Sequence, residues 1–221
     1  MKPDADQSAQ TRWEQAYRRF ETPEEEVGKF MHRLKRAGAA AWPKEARIVE
    51  LFCGRGNGLH ALARLGFTSL EGVDLSPRLA AEYQGKAKIL VADCRRLPFA
   101  ENSRDILIVQ GGLHHLPALP ADLETTLSEA RRVLRKDGFF MAVEPWLTPF
   151  LSVVHALSRR QLVRKLSPKF DALATMIHYE QQTYEQWLDH PTVILDALRK
   201  HFRPAQLWFR FGKIHFLGQP R

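Results

Sequence analysis

The join that most constrains this chain is where the apolar run Ile48-Val49-Glu50-Leu51 meets Phe52-Cys53-Gly54-Arg55-Gly56-Asn57-Gly58. The apolar run closing on Glu50 predicts a buried strand, the glycines a tight turn, and Leu59 to Leu65 the start of a helix. A second apolar strand, Leu70 to Val73, follows and ends in Asp74. That order of parts is the layout of a nucleoside-binding α/β unit. Glycines let backbone approach a ligand, a helix N-terminus offers free N–H groups, and a carboxylate waits at the neighbouring strand tip for ribose hydroxyls.

The dinucleotide fingerprint G-x-G-x-x-G fails, because position 59 is Leu. The turn resembles motif I of the class I S-adenosylmethionine-dependent methyltransferases, acidic-x-G-x-G-x-G. Glu50, Gly54 and Gly56 match it; Phe52 stands at the first glycine, as in the D-L-F-x-G-x-G form of some subfamilies. Further elements resemble the same family. Lys88 to Asp93 is similar to its third strand, Ser103 to Gln110 to its fourth, and Leu113-His114-His115-Leu116 to the turn that follows. Arg131 to Phe139 resembles its helix-to-fifth-strand corner, and Phe209 to Leu217 part of a terminal antiparallel hairpin. The likeness is strong over residues 46–145, and nearest to the small-molecule group that includes ubiquinone- and menaquinone-type methyltransferases.

The resemblance implies an α/β fold with a Rossmann-like, doubly wound sheet, strand order 3-2-1-4-5-7-6, and an antiparallel last strand. Residues 1–45 form an expected N-terminal helical cap, and residues 46–221 the core. Within the cap, Trp13, Ala16, Tyr17 and Phe20 space as one helical stripe, and Val27, Phe30, Met31 and Leu34 as another. Thr22-Pro23 followed by Glu24 to Glu26 is a helix-start signal. A helical insertion at about 146–204, before strand six, carries Trp146, Phe150, His155, Phe170, Met176, His178, Tyr179, Tyr184 and Trp187. Additions of this kind are where a generic core acquires substrate choice. Taken singly, each aromatic is better explained as helical core, while some of the set are expected to line the pocket.

At 221 residues the chain fits one domain. Its polar start, Met1 to Gln7, is no signal peptide, and no apolar run reaches the ~20 residues of a bilayer span. Cys53 and Cys94 fall at the tips of strands one and three, with strand two between. That puts those strands ~10 Å apart, too far for a disulfide, so both are expected as free thiols in a cytoplasmic protein. The net charge is +8. Arg131, Arg132, Arg135 and Lys136 close a helix in the expected sense for its dipole, with Gly138 beyond the end. Arg159, Arg160, Arg164 and Lys165 read as a solvated face, or as a contact for phosphate or anionic lipid.

The resemblance assigns roles. The donor is S-adenosylmethionine, leaving as S-adenosylhomocysteine, and no metal is expected. Asp74 would hold the ribose, unless it caps the helix after Ser76-Pro77. Asp93, with the Cys94 backbone, would frame adenine, unless it only shapes a turn. Glu50, Phe52, Gly54 and Gly56 would surround the amino-acid tail, with Leu75 and Gln110 beside them. Tyr17, and behind it Trp13 or Arg12, would fold over the donor; an aromatic face favours such a cation by roughly 0.5–2 kcal/mol. His114 and His115 are base candidates for a hydroxyl or carbon acid, and Glu144 another, each with a structural alternative: backbone hydrogen bonding for the histidines, helix capping for Glu144.

The acceptor is expected to be a small molecule, methylated at oxygen or carbon sooner than nitrogen. Nucleic acid is the second reading, suggested by charge alone. Gln110-Gly111-Gly112-Leu113 does not match the D-P-P-Y or N-P-P-F signature of base amino-group enzymes, and no RNA-binding module is recognisable. A third reading is a donor-binding protein without catalysis, supported by Phe52 and Arg55. The sequence leaves the oligomeric state open.

Overall fold

The computed structural model describes residues 5–221, with side chains from Thr11 onward. Met1 to Asp4, part of the acidic start, lie outside the described residues. Two helices come first, α1 (Ala5–Phe20) and α2 (Pro23–Arg36). The break between them is a capping box. Thr22 Oγ1 accepts from the Glu25 amide at 3.2 Å, and Glu25 Oε2 accepts from the Thr22 amide at 3.0 Å.

Strands and helices then alternate: β1 (Ile48–Leu51), α3 (Asn57–Arg64), β2 (Leu70–Asp74), α4 (Pro77–Ala81), β3 (Lys88–Val91), β4 (Arg104–Gln110), α5 (Ala121–Val133) and β5 (Leu134–Pro145). Five helices follow, α6 (Pro149–Ser158), α7 (Gln161–Leu166), α8 (Pro168–Tyr179), α9 (Gln181–Asp189) and α10 (Pro191–His201). The hairpin of β6 (Phe202–Arg210) and β7 (Lys213–Pro220) ends the chain. The sheet order is β3-β2-β1-β4-β5-β7-β6, as expected, with β7 antiparallel to both its neighbours.

The parallel strands read as continuous apolar runs because both their faces are covered. On one face Val49, Leu51, Leu107 and Val109 meet Leu123 and Leu127 of α5 and Ile194 and Leu198 of α10. On the other, Ile48, Ile106 and Ile108 meet Val27, Phe30 and Leu34 of α2 and Leu62 of α3.

Three expectations need correction. The third strand stops at Val91, and Asp93 lies in the turn beyond it. The final hairpin begins at Phe202, so the helical insertion ends at His201. Gly138 does not follow a helix end but sits inside β5. A Cβ there would come 2.7 Å from the Asp105 carbonyl, so close backbone approach is what demands glycine. The basic corner is internally engaged: Arg132 binds Glu129 and the carbonyls of Leu97 and Phe99, and Arg135 binds Asp105. In the second basic group, Arg164 pairs with Asp171. Among the described residues, no helix is long and apolar enough to cross a membrane.

Candidate active site

The carboxyl ends of the strands open on a cavity of about 1570 Å³, closed over by α1, α2 and α8. Its floor is the loop after β1. Phe52, Gly54 and Gly56 take φ values of 55°, 51° and 78°. Phe52 thus holds the left-handed conformation natural to a glycine, at a strain of order 1–3 kcal/mol. Room for its ring comes from the turn after β4, where a Cβ on Gly112 would lie 2.3 Å from Phe52 Cγ. A glycine missing at one strand tip is matched by one at the next.

Asp74 ties this loop to the second strand. Its Oδ2 accepts from the Gly54 amide at 2.7 Å and its Oδ1 from the Ser76 amide at 2.8 Å. Ser76 caps α4 through the Leu79 amide, so Asp74 is not the cap. Each carboxylate oxygen retains a lone pair for a further donor. Leu75, beside it, presents an exposed side chain to the cavity wall.

Glu50 is buried beneath the loop. It accepts from the Leu59 amide, while its Oε2 has no partner. Burial, then the Glu26 and Asp74 charges, push its pKa well above the carboxylate range. Gly58 makes the space: a Cβ there would fall 1.7 Å from Glu50 Oε1. Gly58→Ala is therefore expected to cost about 1–3 kcal/mol by overpacking, read as a lower urea midpoint, and to weaken S-adenosylhomocysteine binding by displacing Glu50.

Asp93 is held by Arg95, which donates its amide at 2.8 Å and its guanidinium at 2.7–3.0 Å and also reaches Asp122. Those bonds keep the Asp93 carboxyl below its usual range against the effect of burial. The turn-forming arrangement is thus present; Asp93 also lines the cavity. Cys94 is a free, buried thiol 3.7 Å from Thr126 Oγ1, its pKa pushed up to about 11 by burial. Cys53 is likewise free and buried.

At the β4 and β5 tips Glu144 organises the next turn. Its Oε1 accepts from the amides of Gly112 and Leu113 at 2.8 and 3.0 Å, and its Oε2 lies 2.7 Å from His114 Nδ1. It does not cap the following helix; Thr148 does. Complete burial acts to raise its pKa, but the hydrogen bonds and charge of His114 and the two amides outweigh that and leave it lowered. An ionised acceptor on Nδ1 places the lone pair of neutral His114 on Nε2. His115 lies half-buried beside it, and burial, then the His114 neighbour, hold its pKa well below the ordinary value. Its Nδ1 lies 3.4 Å from Glu180 Oε1, a carboxyl pushed up to about 7 by burial. Gln110 lines the cavity with a buried Oε1 lacking a partner.

The roof comes from α1. Tyr17 donates to Glu26 Oε1, Asn57 donates to Glu26 Oε2, and the Arg55 guanidinium sits 4.8 Å over the Tyr17 ring. Trp13 stacks on Tyr17 at 5.2 Å and meets His115 edge-on. Arg12 instead reaches Tyr179 and lies outside this cavity. The insertion's aromatics divide. Phe150, Phe170, Tyr179 and Tyr184 line the cavity, whereas Trp187 is buried core, its Nε1 donating to the Pro145 carbonyl at 2.8 Å. Sequence reasoning missed Glu26, Asn57 and Glu180 as site residues. Glu26 was visible only as one of three acids starting a helix, and Glu180 had no local signal.

A family described as a methyltransferase domain matches residues 49–142. No curated protein matches the chain. Among solved structures, one described as a candidate S-adenosylmethionine-dependent methyltransferase from Methanococcus maripaludis is 13% identical, with a TM-score of 0.64 over 97% of this chain and 93% of that one. An S-adenosylmethionine-dependent methyltransferase from Mesorhizobium loti is 19% identical, with a TM-score of 0.57 over 85% of this chain and 97% of its own. Geranyl diphosphate C-methyltransferase from Streptomyces coelicolor A3(2), solved with Mg2+, geranyl diphosphate and S-adenosylhomocysteine, is 15% identical, with a TM-score of 0.56 over 86% and 82%.

Proposed function

We propose that the chain is a class I S-adenosylmethionine-dependent methyltransferase, in line with the methyltransferase-domain match over residues 49–142, and that it methylates a small molecule at oxygen or carbon, with His114 as base. The observation that carries this reading is the Glu144–His114 pair, buried at the β4 and β5 tips and facing the cavity. The donor site fits the loop: glycine turns free of Cβ, the unpartnered Glu50 Oε2, and the remaining lone pairs of Asp74.

Bound S-adenosylmethionine supplies a methyl group already activated on a sulfonium, so the protein's task is alignment and exclusion of water. Asp74 and Glu50 hold the donor's hydroxyl and ammonium ends, and Tyr17 and Trp13 cover it. Glu144 fixes the His114 ring and its tautomer. His114 Nε2 then accepts the proton that an acceptor hydroxyl or acidic C–H gives up. Glu144 is a positioning residue, acting through His114. The basic groups that favoured nucleic acid are in part engaged with the protein itself, Arg132 and Arg135 at the β5 corner and Arg164 on α7, which supports the small-molecule reading. The positive φ of Phe52 keeps the glycine-like path of the loop, which supports donor binding.

A thermal-shift titration with S-adenosylhomocysteine, NAD and ATP tests the donor site. At a hundredfold excess over Kd, the homocysteine nucleoside alone is expected to add ~2.7 kcal/mol. A flat response to it, or an equal response to NAD, sinks the proposal. Transfer of labelled methyl from S-adenosylmethionine to candidate hydroxyl and carbon acids then tests the acceptor class.

A further inference from the structure

The cavity is electrically divided along the sheet. At the β1, β2 and β3 tips stand Glu50, Asp74 and Asp93, and the cations there, Arg55, Arg78 and Arg95, are paired with Glu26, Glu14 and Asp93. At the other end, around α2 and the β6–β7 hairpin, the wall is basic: Arg33, Arg36, Arg210 and Lys213. Register places Lys213 opposite Pro145, one residue from Glu144, so the basic pole borders the His114–Glu144 pair.

None of these four cations has an ion pair among the described residues, and Arg33 and Lys213 are the less exposed two. Arg33 only lies 5.3 Å over the Phe30 ring. Neighbouring acids are committed elsewhere, Glu21 to Lys29, Glu26 to Tyr17 and Asn57, Glu144 to His114. Both groups face the cavity and are only partly exposed. Burial first, then the Arg33 charge, hold the Lys213 ammonium down to about 8, and burial lowers Arg33 too. Partly buried cations without a counter-ion cost free energy in the free chain. Arg36 adds a third charge 4.6 Å over Trp208, which itself stacks on His215. Between the poles the lining is apolar: Phe20, Phe30, Phe150, Leu151 and Phe211.

A donor carrying a sulfonium and an ammonium suits the acidic pole, which leaves the basic pole to the second substrate. Resting on the methyltransferase reading above, we propose that the acceptor carries a phosphate or carboxylate on an apolar body, its anionic group held between Arg33 and Lys213. The enzyme therefore selects by charge as well as by shape, and the anion fixes which atom of the acceptor reaches His114.

The test is isothermal titration of the full chain with octyl phosphate, octanoate, octyl glucoside and octylammonium, and separately with S-adenosylhomocysteine. At least one anion is expected to bind ~10-fold or more tighter than the neutral and cationic probes, and the tighter of the two distinguishes phosphate from carboxylate. Lys213→Met and Arg33→Gln are each expected to weaken that anion at least ~10-fold, as removal of a buried charge partner does, with affinity for S-adenosylhomocysteine unchanged. Equal binding of all four probes overturns the proposal. So does undiminished anion binding in either variant that still takes the nucleoside. Wild-type protein that binds octyl phosphate but not S-adenosylhomocysteine keeps this site and rejects the donor reading instead.

Discussion

Asp74→Ala is expected to lower affinity for S-adenosylhomocysteine by at least ~100-fold. The carboxylate has two roles that fail together. It accepts from the Gly54 and Ser76 amides, which shapes the loop against the second strand, and its free lone pairs are the proposed ribose acceptors. Charge-assisted hydrogen bonds are worth roughly 1.5–3 kcal/mol each, and losing two exceeds the ~2.7 kcal/mol that a hundredfold represents. Asp74→Asn separates the roles. Its amide oxygen can serve one backbone donor, but its NH2 must then face the other, so the variant should fold and still bind poorly. Isothermal titration of both decides it. An Ala variant within threefold of wild type would remove Asp74 from the donor site.

Glu144 offers the second large effect. Glu144→Ala leaves the Gly112 and Leu113 amides and His114 Nδ1 without their acceptor inside the protein. A loss of at least about 3 kcal/mol in urea unfolding is expected, since three buried donors each lose an acceptor at roughly 1–3 kcal/mol. Glu144→Gln is milder on the fold and harsher on chemistry. Its oxygen keeps the two amides, while its NH2 faces His114 Nδ1, which must then accept. The ring proton moves to Nε2, and the base is lost. A kcat lower by ~10²–10⁴ is expected, with S-adenosylhomocysteine affinity and KM little changed. Full activity in Glu144→Gln would dismiss the positioning role and leave His115 as the base to examine. The lowered pKa of Glu144 also has a pH consequence. Its folded pKa lies below its unfolded value, so its contribution is complete above the ordinary carboxylate range and is lost as pH falls through the depressed value.

Local pattern carried far where one segment holds all the relevant information. The capping box at Thr22, the strand–turn–helix at Glu50 to Arg64 and the cap at Ser76 are each written within a few residues and need no distant partner. The errors arose where a residue answers to something far along the chain. Gly138 looked like a helix stop, yet it is glycine because β4 passes close to its Cα. Phe52 looked like a defect in the loop, yet Gly112 in the turn after β4 makes room for its ring. Glu144 looked like a cap or a base, and its partners lie some thirty residues earlier.

By itself, the sequence determined the strand–turn–helix after Glu50 and the alternation of strands and helices, because those follow from periodicity and turn chemistry that reach only to neighbouring residues. The strand order was legible only through the family resemblance. Tertiary structure alone decided the charge pattern of the cavity and the state of its groups. Glu26 beside Tyr17, Glu180 beside His115, and Arg33 with Lys213 facing an apolar wall come from separate elements. Burial and electrostatics depend on distance in space, and a composition of +8 says nothing of which charges are left without a partner.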